Sequence, residues 1–277
     1  MDFSSFKLLV SDLDGTLVPY GSDELSLKTI DALRALTQTR RMFTIATGRS
    51  FLQSKTIIDR LEITVPVIVQ TGALIVDPVT GKVLKAQPLR PELHGRLQDI
   101  AGRVSAEHLI LGEDGIFYPT RSGLQSRSWL LQSGERCSVF GCSDGVDTAI
   151  KHLFIGSERQ IREVVELVKQ WAGDFCPHVI LWPPDQNYPD WFLEVFDPSA
   201  SKGQALGWLA EKLGVGMEAV MAFGDGYNDM DMLRLVGLGV AMEHSQPEIR
   251  AMAGLTVPGP EDDGIAEFVT ELMKQIA

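Results

Sequence analysis

The residues best suited to chemistry come early in the chain, as Asp12-Leu13-Asp14-Gly15-Thr16 directly after Leu8-Leu9-Val10. An apolar run that breaks into two carboxylates, a glycine and a hydroxyl predicts a buried strand delivering charge at its C-terminal end. Open parallel α/β sheets place their ligands there. Two aspartates one residue apart point to opposite faces within a strand. At a strand end entering a glycine turn, both can converge on one point. Such a pair suits a cation, or a nucleophile and a proton donor working on one substrate. Taken alone, the string also suits an Asx turn closing a surface loop, because Asp and Gly are ordinary turn residues.

Three further pieces share this context. Thr47-Gly48 follows the apolar run Met42–Ala46 and offers a hydroxyl and backbone amides, both donors to phosphate. Lys202 lies in Ser201-Lys202-Gly203, at the start of a helical pattern. Gly224-Asp225-Gly226-Tyr227-Asn228-Asp229 follows Ala219–Phe223. Each has a plain structural reading: Thr47 as a cap, Lys202 as a solvated charge, Asp225 and Asp229 as turn and N-cap residues. Together, each at a strand end or helix start, they point to one shared site. Gly214-Val215-Gly216-Met217-Glu218-Ala219 fits a dinucleotide fingerprint only superficially. It follows a helix and precedes a strand, whereas the fingerprint needs the reverse order, so Gly214 is expected to be a helix C-cap. The chain has no G-x-x-x-x-G-K-[ST] phosphate loop.

The elements that must position these groups alternate, are interrupted, and then alternate again. Strands are predicted at Lys7–Ser11, Met42–Ala46 and Val65–Gln70. Helices are predicted where Leu27, Ile30, Leu33 and Leu36 recur and over Ser50–Leu61. Leu74–Val76 and Val83–Lys85 flank a turn and read as a hairpin. From residue 86 the pattern changes, with a helix over Pro91–Arg103 and a hairpin of His108–Leu111 with Ile116–Tyr118. Residues 120–147, rich in Ser, Gly and Arg without a clear period, read as an irregular connection. His152–Ile155, a helix over Glu158–Trp171, and strands at Val179–Trp182 and Phe192–Phe196 complete an α+β insertion. Helices near Lys202, over Asn228–Leu235 and over Gly264–Ile276, with strands Ala219–Phe223 and Leu238–Ala241, resume the alternation. The expected division is 1–85 with 192–277 as one domain and 86–191 as the other.

Composition narrows the partners. With 277 residues, 44% hydrophobic and 22% charged, the chain has the profile of a globular protein of two domains. A formal charge of −12 argues against nucleic acid, which demands a basic face. It leaves room for a small anion held by local cations. No apolar run reaches membrane-span length, and Met1-Asp2-Phe3-Ser4-Ser5 lacks the features of a signal peptide. Cys137, Cys142 and Cys176, an odd set without zinc spacing, fit a reducing compartment, so a cytoplasmic location without membrane attachment is expected. The five histidines (94, 108, 152, 178, 244) form no HExxH and no paired cluster.

Read together, DxDGT, then Thr47, then Lys202, then GDxxxD resemble the haloacid dehalogenase (HAD) superfamily. Ala46-Thr47-Gly48-Arg49, Ser201-Lys202-Gly203 and Gly224-Asp225-Gly226-Tyr227-Asn228-Asp229 are similar to the Cof-type phosphatases, which carry a type-IIB cap. The resemblance spans essentially the whole chain. It implies a two-domain α/β protein, with a Rossmann-like parallel-sheet core and an inserted α+β cap. It further implies Mg²⁺-dependent hydrolysis of a small phosphomonoester, a sugar phosphate above others. Asp12 is then the nucleophile, forming an aspartyl-phosphate. Asp14 is the general acid and base, and Lys202 neutralises the phosphoryl group. Thr47, Gly48, Lys202 and Asn228 hold phosphate oxygens. Mg²⁺ is held by the Asp12 carboxylate, the Asp14 backbone carbonyl and the Asp225 carboxylate, while Asp229 orients Lys202.

An aspartate at position 14 favours rapid phosphomonoester hydrolysis, since dehalogenases of the superfamily lack it. A phosphomutase or specialised sugar-phosphate phosphatase on the same scaffold is the alternative enzyme, and a phosphometabolite-binding sensor the non-enzymatic one. Two departures from the subfamily bear on substrate preference: Thr71-Gly72-Ala73 replaces Asn-Gly-Ala, and Met242-Glu243-His244-Ser245 replaces Met-x-Asn-Ala. Leaving-group recognition is expected from the insertion, through Glu113-Asp114 or Asp185-Gln186-Asn187-Tyr188-Pro189-Asp190-Trp191. Oligomeric state leaves no mark in the sequence.

Overall fold

The protein is described from a computed structural model covering residues 3–138, 146, 148–184 and 188–276. Its strands, in chain order, are β1 (Leu8–Ser11), β2 (Met42–Ile45), β3 (Val67–Val69), β4 (Leu74–Val76), β5 (Val83–Ala86), β6 (Glu107–Gly112) and β7 (Phe117–Arg121). They continue with β8 (Ala149–Gly156), β9 (His178–Trp182), β10 (Trp191–Phe196), β11 (Val220–Gly224), β12 (Leu238–Met242) and β13 (Leu255–Val257). Two compact units result, one from residues 1–85 with 201–277, the other from residues 86–200.

The first unit is built on a parallel sheet in the order β13-β12-β11-β1-β2. Its central strands are apolar on both faces: Leu8, Leu9, Val10, Val220, Met221, Ala222 and Phe223 are all buried, as helices on both sides of a parallel sheet require. The register pairs Ser11 with both Phe223 and Ile45. The residues that follow these three therefore leave the sheet at one level. They are Asp12, Gly224-Asp225 and Ala46-Thr47. β3 joins beside β2 through a parallel bridge of Ala46 to Ile68, sealed by Thr47 N–H donating to Ile68 O at 2.9 Å.

Helix Phe51–Arg60 begins at a reciprocal Ser50/Gln53 capping box, and Lys202–Leu213 begins at Ser201, whose hydroxyl accepts from Gln204 N–H. Gly214 ends the latter helix at φ 68°, as a C-cap rather than a phosphate turn. Leu206 and Leu209 of that helix pack with Leu8, Val10, Val220 and Ala222. A Leu206→Ala change would cost about 2–5 kcal/mol.

The second unit carries an antiparallel sheet in the order β7-β6-β8-β10-β9. Helices Pro91–Arg103 and Glu158–Lys169 cover one face, with Leu93, Leu97, Ile161 and Val164 against Phe154, Leu193 and Val195. Alternation sends Phe192, Glu194 and Phe196 to the other face, where Trp129 meets Phe117 and Phe192.

The structure corrects three expectations. The supposed irregular connection over residues 120–147 contains a helix, Leu124–Ser133. Its buried residues are Ser126, Trp129 and Leu130 while Leu124 and Leu131 are exposed, so no apolar stripe announces it. The return to the first unit falls at Ser201 rather than 192, because β10 pairs with β8 and β9 in the second unit's sheet. The histidines do cluster. His94 Nδ1 meets His152 Nε2 at 2.8 Å, His152 Nδ1 meets His108 Nε2 at 2.9 Å, and His108 Nδ1 meets Thr120 Oγ1 at 2.5 Å.

Candidate active site

The shared strand-end level brings Asp12, Lys202, Asp225 and Asp229 together. Lys202 Nζ lies 2.8 Å from Asp12 Oδ1 and 2.6 Å from Asp229 Oδ1. Carboxylate oxygens of Asp12, Asp225 and Asp229 lie within 4.8 Å of one another, and all three residues are buried. Asp229 is fully used by the protein, because its Oδ2 accepts the N–H groups of Asp225 (3.0 Å) and Gly226 (2.9 Å). It closes the turn after β11 and fixes the lysine.

Three carboxylates against one ammonium leave a charge imbalance. Burial pushes the Asp12 carboxyl well above the ordinary range. The charge of Asp229 raises it further, Lys202 pulls it back and Asp225 adds to the rise. Burial raises Asp225 as well. Burial draws the Lys202 ammonium down, but Asp12 and Asp229 outweigh it and hold the pKa above that of a free lysine.

Thr47 is buried, and its Oγ1 accepts the Arg49 N–H at 3.1 Å, which leaves the hydroxyl proton free to be donated. Gly48 is half-buried beside it. Asn228 is half-buried on the turn after β11, its carboxamide oxygen next to Gly226. Asp14 is gripped by Arg49, with Nε to Oδ2 at 2.8 Å and Nη2 to Oδ1 at 2.6 Å. Arg49 also donates to Asp23 and to Ser22 O. Arg49 belongs to the Ala46-Thr47-Gly48-Arg49 motif, but its partners are far away in sequence, so only the fold reveals this grip.

Two more groups converge on Asp225. The Tyr20 hydroxyl donates to its Oδ2, and His244 Nε2 stands 3.4 Å from the same oxygen. Thr16 Oγ1 donates to Oδ1 at 2.9 Å. Gly15 has φ 77°, and a Cβ there would stand 2.5 Å from both Tyr20 Cζ and Asp225 Oδ2. Only glycine lets the Tyr20 ring lie across this turn. His244 was flagged by the sequence as a departure, whereas Tyr20 carried no signal. Glu243 is exposed, and its N–H donates to Val257 O.

In the second unit, Asp114 is engaged within its own hairpin, accepting Ile116 N–H at 3.0 Å and Tyr118 O–H at 2.6 Å. Asp190 Oδ1 accepts from Gln125 at 2.8 Å, and Tyr188 packs edge-on to Phe192. Asp185, Gln186 and Asn187 lie outside the described residues.

A family model for haloacid dehalogenase-like hydrolases matches residues 9–269. A Haemophilus influenzae protein named as a phosphatase, without a stated substrate, is 30% identical over 275 residues, covering 96% of this chain and 98% of its own. Escherichia coli pyridoxal phosphate phosphatase YbhA is 24% identical, covering 95% of this chain and 97% of its own. A solved structure described as a HAD subclass IIB sugar phosphatase has a TM-score of 0.74 at 22% identity, covering 96% of this chain and 99% of that one. The chain belongs to the haloacid dehalogenase-like hydrolases. It is an enzyme of that class, with the family's parallel-sheet α/β core and an inserted α+β domain. Among its described residues no helix is long and apolar enough to cross a membrane.

Proposed function

We propose that this hydrolase is a phosphatase that releases phosphate from a small phosphomonoester, a sugar phosphate by class, through an aspartyl-phosphate on Asp12. The observation that carries the reading is the surplus of buried carboxylates around one lysine, Asp12, Asp225 and Asp229 against Lys202. An all-oxygen donor set with uncancelled negative charge fits Mg²⁺. The Asp12 carboxylate, the Asp14 backbone carbonyl and the Asp225 carboxylate would hold the ion. When bound, Mg²⁺ offsets the repulsion between a carboxylate nucleophile and a phosphate dianion.

The chain's own residues do the rest. Lys202 places its ammonium against Asp12, where a phosphoryl oxygen would share it. The Thr47 hydroxyl, the Gly48 amide and Asn228 hold the remaining oxygens. As an Asp12 oxygen bonds phosphorus, the bond to the leaving oxygen breaks and Asp14 gives that oxygen a proton. Asp14 then takes a proton from water as the water attacks phosphorus and frees Asp12. In the arrangement described, both Asp14 oxygens accept from Arg49. Acid catalysis therefore requires Asp14 to exchange Arg49 for the leaving oxygen. The pyridoxal phosphate and sugar phosphatase names among the relatives and neighbours support small phosphorylated metabolites as the substrate class.

A panel of phosphorylated metabolites, incubated with enzyme and Mg²⁺ and read by phosphate release, tests this reading. Turnover of one or more sugar phosphates is expected. No release from any phosphomonoester would overturn it.

A further inference from the structure

Three consecutive residues after β3 hold left-handed backbone: Gln70 (φ 51°), Thr71 (φ 57°) and Gly72 (φ 92°). The need at Gly72 is plain, since a Cβ there would stand 2.2 Å from Ser201 O and 2.8 Å from Lys202 N. The other two carry side chains. Thr71 is β-branched, the kind of residue for which this region is a true outlier. Such strain persists where the surroundings enforce it, and it gathers at functional sites. Here the surroundings are the site itself. Gln70 N–H donates to Arg49 O at 2.9 Å, and Thr71 N–H donates to Thr47 O at 3.0 Å.

The side chain of Thr71 adds a second anomaly. It is fully buried, and its Oγ1 has no hydrogen-bond partner among the described residues. Nearly all buried hydroxyls are paired, so one left unpaired is a cost that valine in the same place would avoid. Gln70 Oε1, an acceptor, is also buried and unpaired among the described residues, so the two neighbours do not satisfy each other. Thr71 Oγ1 stands 3.6 Å from the point a Cβ on Gly48 would occupy, beside the Thr47-Gly48 segment. Burial does not set Thr71 apart from the phosphoryl-binding groups, because Thr47 and Lys202 are equally closed to solvent.

We propose that the Thr71 hydroxyl is a further binding group of this site, donating to a phosphoryl oxygen alongside the Thr47 hydroxyl and the Gly48 amide. The inference rests on the phosphatase reading above and extends it to a residue outside the four motifs. A phosphoryl oxygen accepts only, and it supplies the partner that this donor lacks. The strained loop then has a purpose, for it holds the hydroxyl at the wall of the anion site before substrate arrives. Function and stability therefore pull in opposite directions at this one atom.

The experiment measures binding of inorganic phosphate in the presence of Mg²⁺ by calorimetry, with thermal midpoints, for the wild type, Thr47→Val, Thr71→Val and Thr71→Ser. Thr71→Val is expected to weaken phosphate about tenfold or more, the scale of a hydrogen bond to a charged group. Its midpoint should hold or rise by about 2 °C or more. Thr71→Ser keeps the hydroxyl and should keep the affinity. If Thr71→Val instead unfolds more easily, Thr71→Ser decides: retained affinity supports the proposal and lost affinity overturns it. Thr47→Val weakened with Thr71→Val unchanged would overturn the role of Thr71 alone. No phosphate binding by the wild type, or none affected by Thr47→Val, would remove the anion site and this proposal with it.

Discussion

Lys202 and Lys151 are both buried lysines, one in each compact unit, and their surroundings differ in kind. Lys151, whose side chain is 4% exposed, pairs with the single carboxylate of Glu194. The other Glu194 oxygen accepts the Trp182 indole N–H at 3.1 Å. The Lys151 ammonium also stands 5.6 Å from the Phe117 ring centre and 5.5 Å from that of Phe196. Charge there cancels, and each polar atom has company. Lys202, fully buried, faces Asp12 and Asp229 with Asp225 nearby, and charge does not cancel. A balanced pair is what an interior built for shape tolerates. An unbalanced cluster is what the proposed cation and phosphoryl anion together would offset.

The largest test of that contrast is Asp12→Asn. Phosphate release should fall about a thousandfold or more, the scale of losing a nucleophile. The melting temperature should rise, because a carboxylate penalised first by its burial and then by the repulsion of Asp229 and Asp225, together more than Lys202 offsets, has been neutralised. Retained turnover in steady-state assays would contradict the role of Asp12.

Next come the two lysines themselves. Lys202→Met and Lys151→Met each leave buried acid unpaired and should each cost about 3–5 kcal/mol of stability in denaturant melts. Mg²⁺ should then separate them. It should restore stability to the Lys202 variant, whose surplus carboxylates would bind it, and leave the Lys151 variant unchanged. Equal responses to Mg²⁺ would erase the distinction drawn between the two regions.

A smaller effect belongs to the second unit. Burial, then the charges of His94 and Arg121, push His108 down to about 3, and burial with the other two rings lowers His152 well below its usual range. The unfolded chain takes up protons below about pH 6.5 that these folded rings refuse. Their contribution to stability is therefore complete above that pH and is lost as pH falls toward the folded values. The His108 ring should forfeit about 2 kcal/mol between pH 7 and pH 5, and His152 should add to the loss in the same direction. A His108→Leu/His152→Leu variant should lose most of that slope in melts at the two pH values, and an unchanged slope would assign it elsewhere.

Much of the first unit was legible because its carboxylates follow directly on its strands. Leu8-Leu9-Val10 and Val220–Phe223 each end in carboxylates, so strand prediction and site prediction were the same inference. Lys202 was placed by the start of a helical pattern, which the structure shows to be capped by Ser201. What escaped was long-range geometry. The Arg49 grip on Asp14, the Tyr20 hydroxyl on Asp225 and the joining of His94, His108 and His152 depend on register and on turns that no local pattern encodes. The left-handed backbone at Thr71 was equally hidden, because threonine is the last residue from which it would be predicted. The helix at Leu124–Ser133 escapes prediction for want of an apolar stripe.

The measurement that bears most directly on the central claim is a calorimetric titration of Mg²⁺ into the wild type and into Asp225→Asn, with phosphate release followed across the same Mg²⁺ concentrations. One Mg²⁺ should bind the wild type, turnover should rise with its occupancy, and both should vanish in Asp225→Asn. Full turnover in the presence of chelator, or Mg²⁺ binding undiminished by Asp225→Asn, would contradict the account.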